Sequence, residues 1–100
     1  IVEAAFADAG RNPTHILEGK VESFYEDDTA DPWEAVLVLT ITLEKNAPRA
    51  SGSPVLLHKT YRIRKALEQH NPLGLAKAMS QAVQAASEQV VSDIRIRLTN

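Results

Sequence analysis

His15-Ile16-Leu17-Glu18-Gly19-Lys20-Val21-Glu22-Ser23-Phe24 and, after a short gap, Trp33-Glu34-Ala35-Val36-Leu37-Val38-Leu39-Thr40-Ile41-Thr42-Leu43 are two runs of period-two alternation, the pattern of successive β-strands. In the first, Leu17, Gly19, Val21 and Ser23 share a side against Glu18, Lys20 and Glu22, and Phe24 interrupts the polar side. In the second, Trp33, Ala35, Leu37, Leu39, Ile41 and Leu43 share one face. Glu34, Val36, Val38, Thr40, Thr42 and Glu44 share the other, as expected of a central strand exposed on one side. Gly19 within a strand marks a bulge or a neighbour's close approach.

The acidic segment Glu26-Asp27-Asp28-Thr29-Ala30-Asp31-Pro32 joins these strands as a loop. The Pro/Ser/Gly-containing run at 46–54 leads to a third strand, in which Val55, Leu57, Tyr61 and Ile63 alternate,. Asn71-Pro72 is an N-cap followed by the proline that favours the first helical position. Leu75, Met79, Val83, Ala86, Val90 and Ile94 then recur at helical spacing,. Residues 94–98 also alternate with period two, and a helix is favoured there over a short strand. That helix is longer than a six-residue strand covers, so the strands must be long or the helix must overhang. Residues 1–9 are Ala-rich with helical spacing and Gly10 at the expected C-cap, and read as the end of a helix. Ala82 is expected to pack closely against the sheet near Gly19.

The expected fold is therefore α+β: an antiparallel three-stranded meander, four-stranded in a parent protein, packed on one face by an N-terminal helix remnant and a long C-terminal helix. One hundred residues form one domain (1–100),, read as an incomplete piece of a larger one. A formal net charge of −2 with 24% charged residues offers no overall field to attract nucleic acid. The absence of cysteine removes disulfides, thiolate ligands and thiol nucleophiles,.

No spacing in the chain carries catalysis, a cofactor or a metal. His15, His58 and His70 are dispersed without a ligand motif,, and the acidic loop lacks the glycine and closing glutamate of a calcium loop. Ser51 and Ser53 have no nucleophile-elbow context, and the four glycines form no phosphate cradle,. Arg62, Arg64, Lys65, Arg95 and Arg97 combine into a basic patch on one reading and form solvated edges on the other. The chain thus reads as a binding module and not an enzyme. Its candidate partner-binding residues are Phe24, Val36 and Val38, taken as a small exposed apolar patch, with Trp33 and Tyr25 flanking the acidic loop.

Leu17 to Phe24, the aliphatic strand at 35–43, Tyr61-Arg62-Ile63 and the Ala-rich helix Leu75-Ala76-Lys77-Ala78-Met79-Ser80-Gln81-Ala82 together resemble the ABC-type transport auxiliary lipoproteins. The resemblance spans about residues 1–98 and contains no catalytic motif. It implies a periplasmic lipoprotein tethered to the outer membrane through an upstream anchor, the lipidated cysteine being absent from this sequence. It also implies an ABC permease or MCE-type substrate-binding protein as partner, with lipid as a further ligand. The alternative is an envelope lipoprotein that docks on a cell-wall synthase or on secretion machinery.

Overall fold

The computed structural model describes residues 2–6, 15–46 and 55–99. Its elements are β1 (Val2–Phe6), β2 (His15–Asp27), β3 (Glu34–Lys45), β4 (Val55–Ala66) and α1 (Pro72–Thr99). The strands form one antiparallel sheet in the order β1-β2-β3-β4, each paired with its neighbour in sequence.

The α+β architecture, the meander and the closing helix are those read from the sequence. The N-terminal helix is not: Val2 to Phe6 is a strand, running from Val2 opposite Gly19 to Phe6 opposite His15. Ala-rich segments favour helix in isolation, but β2 offers an unpaired edge whose hydrogen bonds outweigh that preference. The fourth strand is thus supplied by this chain. Gly10, Asn12-Pro13 and the run from Ala47 to Pro54, including Ser51 and Ser53, lie outside the described residues.

The helix begins where capping chemistry places its start. Asn71 Oδ1 accepts a hydrogen bond from the Gly74 amide at 2.8 Å, and the Asn71 carbonyl accepts from Leu75 N at 3.0 Å,. Residues 94–98 continue as helix. With 28 residues α1 is about 42 Å long,, and strands of 12 or 13 residues reach about 40 Å,. The question of overhang is resolved by long strands.

Alpha1 lies over β3 and β4. Its buried ridge is Gly74, Ala78, Ala82, Ala86 and Val90, four-residue steps with no side chain larger than valine. The strands supply the volume. Ile41, Leu43, Leu57 and Tyr61 gather round Val90, Leu37 and Ile63 round Ala82 and Ala86, and Ala35 and Leu67 round Ala78. Ala82 therefore packs on β3 and β4 and not near Gly19, which pairs with Val2 and Ile41.

Lys59 Nζ and the Tyr61 hydroxyl both donate to Asp93 Oδ2, at 2.9 and 2.6 Å, tying the C-terminal half of α1 to β4. Burial, then the hydrogen bond to Asp93, pushes the Tyr61 phenol above its ordinary value,. The same bond from Tyr61, followed by that from Lys59, lowers Asp93.

Two substitutions test this packing. Ala82→Leu should destabilise by about 1–3 kcal/mol through overpacking. Gly74→Ala should be at least as damaging, since a Cβ there would run into the Gln69 carbonyl. Urea unfolding midpoints read both, and an unchanged midpoint for either places that residue away from the contact.

Candidate functional site

The residues singled out for partner binding do not all lie together: Tyr25, Val36 and Val38 share one face of the sheet, and Phe24 and Trp33 lie toward the helix side. A bulge in β2 separates them: Val21 pairs with Leu39 and Ser23 with Val38, leaving Glu22 without an opposite number. One extra residue exchanges the two faces of the strand. Phe24 consequently stands opposite Leu37 on the helix side, and Tyr25 opposite Val36 on the other.

Val36 and Val38 are not an exposed patch. They are 0% and 8% exposed, although no described element covers that side of the sheet. Val36 sits in register between Tyr25 and Arg64, and Val38 between Ser23 and Arg62. Long stems in flanking rows close over β-branched neighbours in this way. The open face is thus a surface of Tyr25, Arg62, Arg64 and a threonine-rich stretch. There Thr40 bonds Thr60 at 2.9 Å, and Thr42 bonds His58 Nδ1 at 2.8 Å.

Arg64 links the open face to the acidic loop. It donates to Asp27 Oδ2 at 3.0 Å and to Glu34 Oε1 at 3.2 Å. Asp27 Oδ1 accepts from the Thr29 amide at 3.0 Å and from its hydroxyl at 2.5 Å. The hydrogen bonds from the Thr29 side chain, Arg64 and the Thr29 amide hold the Asp27 carboxyl at about 2, below its ordinary 3.8,. The Arg64 guanidinium is raised in turn, through Asp27 and then Glu34.

Trp33 closes the end of the core beside Ala35, Leu67 and Ala78. Its carbonyl accepts from Leu67 N at 2.7 Å, and its ring stacks on His70 with centroids 4.6 Å apart and planes 5° from parallel. Glu26, Asn71, Pro72 and Leu75 complete a shallow hollow of about 340 Å³ around that pair. The sequence indicated an aromatic beside the acidic loop but gave no sign of its partner.

The basic residues also separate. Arg62 and Arg64 point to the open face, opposite Val38 and Val36, whereas Lys65 pairs with Ala35 on the helix side. Arg97 lines a hollow with Leu57, at the opposite end of β4, about 24 Å from Arg64 at strand rise. One combined patch is not formed. Among the described residues no three His, Asp or Glu side chains converge as metal ligands, and no helix is long and apolar enough to cross a membrane.

Sequence reasoning missed the surface that the bulge creates. Alpha1 covers only the β3–β4 half of its side of the sheet, and Val21 and Phe24 remain 48% and 41% exposed beside it. The signal was present in Phe24, which broke the alternation one residue after a shift in phase. No protein-family model, curated protein or solved structure matches the chain.

Two outcomes check these assignments. Val36→Lys should unfold the domain or lower its midpoint sharply, because an ammonium would be forced between Tyr25 and Arg64; a native melting curve would place Val36 in solvent. Asp27 has its carboxyl lowered on folding, so its contribution is present above about pH 3.8 and lost as pH falls through about 2,. Asp27→Asn should therefore be less stable than the parent at neutral pH, and the gap should close between those two values in acid-titrated urea melts.

Proposed function

We propose that this domain is a non-catalytic accessory module of an envelope ABC transport system that moves lipids or other apolar solutes. In the longer parent protein it would be held at the outer membrane on the periplasmic side by an upstream lipid anchor, with an ABC permease or an MCE-type substrate-binding protein as its partner. The resemblance of Leu17 to Phe24, of the aliphatic strand and of the Ala-rich helix to the transport auxiliary lipoproteins supports this reading.

The observation that carries it is a two-layer domain whose sheet has one complete face without a covering element among the described residues. On that face Tyr25 is exposed, and Arg62 stands between the apolar Val38 and solvent. An aromatic ring and a guanidinium on one sheet face are the residue types that anchor protein interfaces.

Affinity purification of the full-length parent from its native host in mild detergent, with mass spectrometry of co-purifying proteins and lipids, tests the proposal. Recovery of an ABC permease or MCE-type protein is expected, and Tyr25→Ala with Arg62→Ala should reduce it at least tenfold while circular dichroism shows the domain still folded. Recovery of a cell-wall synthase or of secretion machinery instead would overturn it.

A further inference from the structure

Beta4 is the last strand of the sheet, and among the described residues no strand pairs with its outer side. Three hollows follow that edge. Leu57, Lys59 and Arg97 border the first, of about 230 Å³. Lys59 and Asp93 continue into the second, of about 320 Å³, and Ala85 and Glu88 carry on from there to the third, of about 340 Å³, which ends at Lys65. Every residue lining the three belongs to β4 or α1 and none to β3. They therefore make one groove outside the layer junction, between the edge of the strand and the flank of the helix. From Leu57 to Lys65 it runs about 27 Å at strand rise, room for an extended segment of about eight residues.

The edge also discriminates by charge. Beta4 carries Lys59, Arg62, Arg64 and Lys65 and no acidic residue, in a chain whose formal net charge is −2. On the open face His58, Thr60 and Arg64 are each engaged inward, by Thr42, by Thr40, and by Asp27 with Glu34. Arg62, between Thr60 and Arg64 on that side, is exposed and enters no ion pair among the described residues. The helix side of the groove is mixed. Lys59 is held there by Asp93, Glu88 shares a hollow with Lys65, and Gln81 and Gln84 lie beside them. A carboxylate is thus favoured on the open side, next to Arg62, and a neutral polar side chain on the helix side.

We infer that the β4 edge is a docking site for an extended acidic segment of a partner protein, which adds to the sheet as a fifth strand. Its backbone pairs with the outer N–H and C=O groups of β4, the mode of binding by strand addition. Its acidic side chains, at alternate positions, lie on the open face with one carboxylate on the Arg62 guanidinium. The side chains between them enter the groove against the glutamines of α1. A second β4 is a poor occupant of the same edge, because it would bring basic residues to basic residues. The inference does not depend on the proposed transport role.

The probe is a fluorescein-labelled peptide of four Glu-Thr repeats, titrated with the full chain and read by fluorescence anisotropy at low salt. It should bind at least tenfold more tightly than the matching peptide of four Lys-Thr repeats. Alternate amides of an added strand point at β4, so N-methylation of all the threonines or of all the glutamates should abolish binding in one case and spare it in the other. Arg62→Glu should reverse the preference between the two peptides while circular dichroism stays native. Tyr25 lies two strands away on β2, so Tyr25→Ala should leave peptide binding unchanged, which separates this inference from the proposed transport docking. The inference is overturned if the Glu-Thr peptide does not bind at millimolar concentration, if both N-methylated forms bind like the parent peptide, or if Arg62→Glu leaves the preference as it was. It is equally overturned if sedimentation velocity shows a second copy of the chain in place of the peptide.

Discussion

The close seating of α1 on β3 and β4 is the contact on which the rest of this small domain depends. It is possible because volume and space are divided between the layers. The helix contributes Gly74, Ala78, Ala82 and Ala86, and the strands contribute Leu37, Leu43, Leu57, Tyr61 and Ile63. Small residues on the helix bring its backbone near enough for dispersion contacts to form along its length. They also let Asp93 reach Lys59 and Tyr61 directly. No buried side-chain polar atom among the described residues lacks a partner, so the layer junction carries no electrostatic debt.

The same narrow seating leaves work undone. A helix about 10 Å across spans roughly two strands at about 4.8 Å each, and this sheet has four. The bulge at Glu22 makes the shortfall chemical as well as geometric, because it turns Phe24 toward the uncovered half and Tyr25 toward the other face. One inserted residue thus supplies an aromatic side chain to each side of the sheet.

Most of the fold was legible in the sequence, because alternation in β3 and the Asn71-Pro72 start of α1 are local signals that tertiary context did not override. Residues 2–6 were misread since an Ala-rich segment of five residues has too little intrinsic preference to resist pairing with an open strand edge,. The candidate site was less legible. Alternation placed Val36 and Val38 correctly on the face away from the helix, but exposure depends on neighbours across the sheet. Tyr25, Arg62 and Arg64 become their neighbours only once register is fixed. The phase change at Phe24 was visible, yet its meaning required knowing which residue was left unpaired. The stacking of Trp33 on His70 joins residues far apart in sequence, and no pattern foretells it.

Beta4 ends the sheet, and its outer backbone groups are a template on which another such strand could grow. Its sequence opposes that growth. His58, Arg62 and Arg64 occupy one side, and Lys59 and Lys65 the side that turns toward the helix. Lys59 is moreover held by Asp93. Two such edges brought together would set basic side chains near each other on both faces, which disfavours the pairing. Among the described residues, the β4 edge thus carries its own charge against extension of the sheet by its like.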